Sequence, residues 1–517
     1  MARRPVAITV ASAVSAALVL GLTLGTIGAV AARADGFAFN PADWGALWFT
    51  VWQALVSALL SVGFAVPLAR ALARRTFPGR PGLIAVMGAP FILPVIVAVL
   101  GLLAVFGRGG WANAALGAMG LPQISIYGID GVLLAHVFFN LPLATRLILQ
   151  GWATVPSEHL RLSQTLNFSG YDRFRIIEFP ILREVLPGAF TAIFVICTTS
   201  FAVALALGGG PRATTVELAI YEAFRFDFDL GRASMLAVVQ LGICAIAGII
   251  AAWVGVPRVS AATLDRKQVI PAEGGLSRVA DAAIIICGAL FLLTPLLAIA
   301  MRGLPQVFDL PVSVWTAAFR SLIMALGAAV LGLMISLPLA FAASRAGGWG
   351  RTAETVGFLT IAASPLVMGI GLFILLLPHA DPVSLALPLT VIVNAAMALP
   401  FTMRALTPPI AENTARFMPL AQSLDMPPTA RLRLIWWPRL RRPMGFSAGL
   451  AAALSMGDLG VIALFAAPDQ ATLPLQMYRL MSAYRIEDAM GAALVLLSIS
   501  LALFWILDRG GRIGADT

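Results

Sequence analysis

The stretch LSQTLNFSGYDRFRIIEFP, residues 162–180, lies between two long apolar runs and carries four charged residues within seven positions. It returns without a gap as LAQSLDMPPTARLRLIWWP at residues 420–438. A second pair, FNLPLATR at 139–146 and MALPFTMR at 397–404, recurs at the same spacing. Because two motifs recur at one spacing, the sequence predicts two copies of one structural unit.

The composition of the chain indicates its environment. Hydrophobic residues make up 60% of the 517 residues and charged residues 12%, which is about half the charged fraction of a soluble protein. The apolar runs reach the length of about twenty residues that crosses a bilayer as a helix. We therefore predict an all-α polytopic membrane protein with about twelve transmembrane helices. The predicted spans are 6–32, 47–73, 82–106, 130–150, 184–208, 233–256, 277–300, 313–342, 353–378, 383–407, 442–466 and 489–507.

The number of spans predicts a topology. Six spans in each copy give both copies the same orientation, so the two repeats are expected to be parallel. With both termini in the cytoplasm, about three quarters of the 35 basic residues lie on the cytoplasmic side, in agreement with the positive-inside rule. This distribution explains the net charge of +10 without any nucleic acid. The first span is expected to stay uncleaved, because its apolar stretch is too long for a signal peptide.

The predicted units are a first repeat at 1–256, a cytoplasmic linker at 257–276 and a second repeat at 277–517. Each repeat has one charged cytoplasmic segment between its fourth and fifth spans. We name residues 158–180 bracket 1 and residues 416–438 bracket 2.

Each bracket is predicted to be two short helices joined by a turn. Asn167 and Asp425 are expected at the turns, because Asn and Asp adopt the left-handed backbone conformation more easily than most other residues except glycine. Pro180 and Pro438 are expected to end the second helices.

The cysteines and histidines predict no metal site, disulfide framework or catalytic pair, since no metal-ligand spacing connects them. The three cysteines fall inside predicted spans and are expected to be buried. They are Cys197, Cys244 and Cys287.

The brackets resemble the EAA loops of ABC importer permeases. In that motif a glutamate and two alanines are followed by a glycine, an isoleucine and a proline at fixed spacing. The corresponding positions here are Arg161 and Pro419 at the glutamate, Asn167 and Asp425 at the glycine, Ile177 and Ile435 at the isoleucine, and Pro180 and Pro438 at the proline. The brackets thus depart from the motif at the glutamate and the glycine.

Further segments resemble the fused two-half permeases of the iron(III)/thiamine group, and most closely permeases for thiamine or thiamine pyrophosphate. They are FPGR at 77–80, LPVIVAVLGLLAVFGRGGW at 93–111, YGIDGVLLAHVFFNLPLATRLILQ at 127–150, LALGGGPRATTVELAIYEA at 205–223 and LSMGDLGVIALF at 454–465.

This resemblance implies a type I ABC importer permease, located as a multi-pass protein in the bacterial inner membrane. The implied partners are a homodimeric cytoplasmic ABC ATPase, a periplasmic substrate-binding protein and the lipid bilayer. The ATPase would use ATP, and this chain is expected to bind no cofactor and to be no enzyme. The implied cargo is thiamine or its phosphate esters, with iron(III) or another small cation as the alternative. A secondary transporter is the alternative from another class.

By the same resemblance, each bracket inserts into one ATPase subunit. The residues expected to make these contacts are Leu162, Leu166, Asn167, Arg173, Phe174, Arg175, Ile177 and Pro180 in bracket 1, and Leu420, Leu424, Asp425, Arg431, Leu432, Arg433, Ile435 and Pro438 in bracket 2. The alternative is an interfacial amphipathic helix whose arginines contact anionic lipid.

Asp458 is the clearest acid predicted within a span, and Ser200 is its counterpart in the first repeat. Because charge inside a membrane is costly and usually functional, these two residues are candidates for the substrate path. Alternatively, Asp458 pairs with a polar group on a neighbouring helix or lies near a wetted end of its span. The acids of the predicted outer loops at 208–232 and 466–488, Glu217 among them, are expected to be solvated or to dock the binding protein.

Overall fold

The computed structural model describes residues 6–34, 36, 38–88, 92–155, 157–254, 275–345, 347–360 and 363–512, and every regular element within them is helical. Eleven helical segments in this part of the chain are long and apolar enough to cross a membrane. The prediction of an all-α polytopic membrane protein is confirmed.

The helices of the first half are α1 (Val6–Arg33), α2 (Pro41–Arg74), α3 (Arg80–Val86), α4 (Val95–Phe106), α5 (Trp111–Ala118), α6 (Ile129–Ala153), α7 (Ser157–Thr165), α8 (Gly170–Arg173), α9 (Phe179–Thr198), α10 (Phe201–Leu207), α11 (Val216–Arg225) and α12 (Leu230–Val254). Those of the second half are α13 (Leu276–Gly303), α14 (Val312–Ala343), α15 (Gly348–Leu359), α16 (Pro365–Leu376), α17 (Ala386–Ser423), α18 (Pro428–Arg431), α19 (Trp437–Met456), α20 (Gly460–Phe465), α21 (Leu473–Ser482) and α22 (Ile486–Arg512).

The elements follow a similar order in the two halves. α1 and α13 are each 28 residues long, and a helix of more than 30 residues follows each of them. Further along, each half has a four-residue helix, a five-residue π-helical segment and a 20-residue helix in succession. The π segments are Phe174–Glu178 and Leu432–Trp436. These bounds recur at the spacing of the sequence motifs.

Four predicted spans are interrupted. Residues 82–106 are divided between α3 and α4, and 353–378 between α15 and α16. The predicted spans 184–208 and 442–466 break before α10 and before α20. Apolar composition continues across these breaks, so hydropathy does not reveal them. α16 has only 12 residues, and the layout of twelve spans therefore stays a prediction.

Contacts along the bundle bring both brackets to one end of it. Arg75, just beyond α2, forms an ion pair with Asp281 near the start of α13, with 2.7 Å between Nε and Oδ2. Bracket 1 packs against the same end of α2. α13 and α22 are antiparallel, and the last turn of α22, at Gly511, lies against Arg441 just beyond bracket 2. The start of α13 therefore shares one end of the bundle with both brackets.

Bracket 2 begins inside a single long helix. α17 has 38 residues, which corresponds to a length of about 57 Å. A bilayer's hydrocarbon core is only about 30 Å thick. The last turns of α17, which belong to bracket 2, therefore extend beyond the apolar layer.

α19 and α22 approach closely through small residues. A Cβ atom at Gly445 would lie 2.5 Å from the carbonyl oxygen of Leu507, and one at Gly449 would lie 3.0 Å from that of Phe504. This small-xxx-small spacing is a common way to pack helices inside a membrane, where no hydrophobic effect drives helices together. The contact attaches the helix that follows bracket 2 to the last helix of the chain.

One expectation about the cysteines is wrong. Cys197 and Cys244 are buried as predicted, but Cys287 is exposed. A predicted span does not tell which face of its helix packs inward, and Cys287 is on a face of α13 that no described neighbour covers. The predicted linker at 257–276 lies outside the described residues except for its last two positions.

Gly445→Ala is expected to lower the unfolding temperature of the detergent-solubilised protein. The added methyl group has no room beside Leu507, and overpacking of this kind costs about 1–3 kcal/mol. Gly242→Ala in α12 is the matched control, because the space beside that helical glycine is open. Equal unfolding temperatures for the two variants would contradict the close packing of α19 on α22.

Candidate functional site

The turn in each bracket is formed by a residue in the left-handed conformation. Asn167 has φ of 47° and Asp425 has φ of 44°, so the turns predicted at these residues are confirmed. In bracket 1 the N–H of Phe168 donates to the carbonyl of Ser163 at 3.0 Å, and the equivalent bond in bracket 2 has the same length. This is the Schellman closure of a helix, which needs a residue with positive φ at this point.

Two arginines at equivalent positions donate hydrogen bonds to backbone carbonyls of these turns. Arg173 is buried, and its Nη2 donates to the carbonyl of Phe168 at 3.4 Å. Arg431 donates through Nε to the carbonyl of Met426 at 2.7 Å. Both side chains thus bind their own bracket. The arginines with exposed side chains at the next positions are Arg175 and Arg433.

A π-helical turn follows in each bracket and carries the chain past a proline. In bracket 1 the N–H of Phe179 donates to the carbonyl of Phe174, five residues earlier, and bracket 2 has the same pattern. Pro180 and Pro438 then lie in the first turns of α9 and α19. The prediction that these prolines end the helices is wrong, because the wider π turn accommodates the proline ring that would clash in an α-helix.

The π turn also changes which apolar residues face outward. Phe174 and Ile177 pack against the buried core, and Ile435 is buried. The exposed large apolar or aromatic residues of the brackets are Leu162, Leu166, Tyr171, Ile176 and Phe179 in bracket 1, and Leu420, Leu424, Leu432, Leu434 and Trp437 in bracket 2. Sequence reasoning missed Ile176, Phe179, Leu434 and Trp437, because α-helical spacing does not hold across a π turn.

A buried ionic contact joins bracket 1 to α2. The side chain of Glu178 has no exposed surface. Its Oε2 accepts a hydrogen bond from Arg70 Nε at 2.6 Å, and its Oε1 lies 3.4 Å from Arg74 Nη2. The Arg70 guanidinium also lies over the ring of Phe174, 5.0 Å from its centroid. Since breaking such a buried pair is strongly unfavourable, α2 and bracket 1 are held together.

Bracket 2 is joined to the bundle by apolar contacts instead. Trp436 stands where bracket 1 has Glu178, and its ring meets Phe341 of α14 edge to face, 4.8 Å between centroids. Leu440, one turn later, is buried in a cluster that includes residues of α1, α14 and α17. The two brackets therefore have the same backbone course but different attachments.

Ser200 and Asp458 lie at two helix breaks. We call α9 with α10 the first broken helix and α19 with α20 the second. α9 ends at Thr198 and α10 begins after Ser200, while α19 and α20 are interrupted around Asp458. Two carbonyl groups at the first break are bound by glutamines. Gln53 of α2 donates to the Cys197 carbonyl at 2.8 Å, and Gln240 of α12 donates to the Thr198 carbonyl at 2.9 Å.

The carboxylate of Asp458 is only partly satisfied. Its Oδ1 accepts a hydrogen bond from the N–H of Gly460 at 3.2 Å. Its Oδ2 is buried and accepts no hydrogen bond from the described residues. Asn394 of α17 is a further polar neighbour, and its Nδ2 donates to Ser455 at 3.0 Å. The broken helices thus bring polar groups of both halves into the interior.

Each of the two predicted outer loops, 208–232 and 466–488, contains a helix that packs into the bundle. The sequence predicts only exposed loops there. Thr50 Oγ1 accepts a hydrogen bond from the N–H of Val216 at the start of α11, and Ser321 Oγ accepts one from the N–H of Leu473 at the start of α21, both at 2.8 Å. Glu217 is consequently buried. The expectation that this acid lies in a solvated loop is wrong.

No family model matches the chain, but curated relatives match it over most of its length. The thiamine transport system permease protein ThiP of Salmonella typhimurium is 38% identical over 450 residues, which cover 85% of this chain and 84% of the relative. ThiP of Brucella abortus is 40% identical over 450 residues, with 85% and 82% covered. ThiP of Haemophilus influenzae is 33% identical over 459 residues, with 84% and 82% covered.

These matches extend through both halves of the chain, since more than four fifths of each sequence is covered. The all-helical fold and the eleven apolar segments agree with a membrane permease. The chain belongs to the ThiP family of thiamine transport system permease proteins.

Proposed function

We propose that the chain is the membrane subunit of an ATP-driven importer that carries thiamine or its phosphate esters across the bacterial inner membrane. The observation that carries this proposal is the identity of 33–40% to permeases named for thiamine transport. Iron(III) import receives no comparable support. A secondary transporter would give no reason for two equivalent brackets.

The brackets are the contact sites for a cytoplasmic ABC ATPase, one bracket for each subunit of an ATPase homodimer. Their exposed leucines supply an apolar surface at one end of the bundle. Arg175 and Arg433 add exposed positive charge beside it. A periplasmic substrate-binding protein delivers the cargo at the opposite end.

Force from the ATPase would reach the bundle through the two attachments. A displacement of bracket 1 acts on α2 through Glu178 and the arginines that bind it. A displacement of bracket 2 acts on α14 through Trp436 and Phe341. Both brackets also continue directly into α9 and α19, which lead to the broken helices.

The substrate path passes the breaks at Ser200 and Asp458. The Oδ2 atom of Asp458 supports this role, because a buried carboxylate oxygen that accepts no hydrogen bond is costly unless it meets a ligand. The matching order of elements supports two parallel repeats, 1–256 and 277–517, with both termini in the cytoplasm.

Proteoliposomes that contain this permease with its ATPase and binding protein are expected to accumulate radiolabelled thiamine only when ATP is supplied to the ATPase side. Vesicles without ATP are the control for leakage. ATP-independent uptake driven by an ion gradient would contradict the proposal and favour a secondary transporter.

Leu166→Asp and Leu424→Asp are expected to reduce co-purification of the ATPase, because a charge replaces an exposed apolar side chain of each bracket. Gln164→Asp and Gln422→Asp are the matched controls. Both glutamines are exposed and lie on another face of the same helices, so they add the charge without removing apolar contact. Unchanged ATPase binding by the leucine variants would favour the lipid-surface alternative.

Asp458→Asn is expected to lower thiamine uptake while the complex still assembles, because the amide keeps the shape of the side chain and removes its charge. Uptake in reconstituted vesicles and co-purification of the ATPase give the two readouts. Normal uptake by this variant would remove Asp458 from the path.

A further inference from the structure

Glu217 is a buried acid that the role proposed above does not use. Its residue exposure is 0%, and neither carboxylate oxygen accepts a hydrogen bond of ordinary geometry from the described residues. The polar side chains beside it are Ser364 of the second half and Gln240 of α12. A buried acid whose neighbours make no well-formed hydrogen bond to it is costly, so Glu217 is placed to bind a partner that arrives from outside the chain.

Two aromatic residues, Tyr221 and Phe201, lie between Glu217 and the break in the first broken helix. Tyr221 follows one turn later on α11 and therefore lies on the same face of that helix. Its ring meets the ring of Phe201 edge to face, 5.2 Å between centroids. Phe201 is the first residue of α10, directly after the break at Ser200.

Phe201 in turn lies beside the second broken helix. A Cβ atom at Gly460 would lie 3.0 Å from Leu366, 3.6 Å from Asp458 and 3.8 Å from Phe201, so these three side chains pack around that glycine. Leu366 belongs to the first turn of α16, which Ser364 precedes as N-cap. In order, this ring of neighbours consists of Glu217, Tyr221, Phe201, Gly460 with Asp458, Leu366 and Ser364. Glu217 and Tyr221 are linked along α11, and Leu366 and Ser364 along the start of α16.

We propose that this ring is a binding site for a planar heteroaromatic cation at the junction of the two halves. Glu217 and Asp458 supply carboxyl groups that can balance the charge of a bound cation, and Tyr221 and Phe201 supply aromatic rings that attract it. The inference rests on the proposed function, because thiamine joins a thiazolium cation to an aminopyrimidine.

The test measures thiamine uptake by the complete transporter, with its ATPase and binding protein, in proteoliposomes. Glu217→Gln is expected to lower uptake about tenfold, equivalent to the loss of one moderate ionic contact. Glu222→Gln is the matched control, since Glu222 is exposed on the same helix. ATPase stimulation by the thiamine-loaded binding protein should stay at the wild-type level in both variants.

If the Glu217→Gln permease fails to assemble with its partners, a second pair of variants tests the binding site. Tyr221→Phe keeps the ring and should retain most uptake, whereas Tyr221→Leu removes the ring and should lose it. If Glu217→Gln takes up thiamine as fast as the wild type, or if the two Tyr221 variants take it up equally, the binding site is wrong and the proposed function is unaffected. A wild-type transporter that takes up no thiamine overturns both.

Discussion

A helix that breaks inside a bilayer leaves carbonyl and N–H groups without partners, and no water is present there to bind them. The breaks before α10 and before α20 lie in the interior of the bundle, and side chains satisfy backbone groups there. Gln53 and Gln240 do so for the carbonyls at the end of α9, and Asp458 binds the first N–H of α20. The first N–H groups of α11 and α21 donate hydrogen bonds to the hydroxyl oxygens of Thr50 and Ser321 in the same way. Polar side chains therefore gather where the backbone requires them.

The two halves share a backbone plan but differ in chemistry. Glu178 is bound by arginines of α2, whereas the equivalent Trp436 meets Phe341 edge to face. Charge-assisted hydrogen bonds and edge-to-face aromatic contacts differ in strength and in geometry. If both brackets receive the same displacement from an ATPase dimer, the halves of the bundle need not respond identically. A single chain that contains both halves can keep such a difference, which an assembly of two identical subunits cannot.

Much of this architecture follows from the sequence. Recurring motifs at one spacing locate the brackets, and the chemistry of Asn167 and Asp425 predicts their turns. What the sequence does not reveal depends on contacts between distant segments or on rare backbone geometry. The π turns place Ile176 and Leu434 outward although α-helical spacing favours their neighbours. Glu217 resembles a loop acid until α11 is packed against the bundle, and the helix breaks lie within runs that are apolar throughout.

The distance between the brackets during the ATPase cycle tests the central claim most directly. Gln164 and Gln422 are exposed, so cysteines placed there by Gln164→Cys and Gln422→Cys can carry spin labels. The exposed Cys287 is first replaced by serine so that it takes no label. Pulsed electron resonance on the complete transporter in vesicles gives the distance with and without ATP and the loaded binding protein. If the brackets transmit closure of the ATPase to the broken helices, the distance shortens when both are added. An unchanged distance in vesicles that import thiamine would contradict this account.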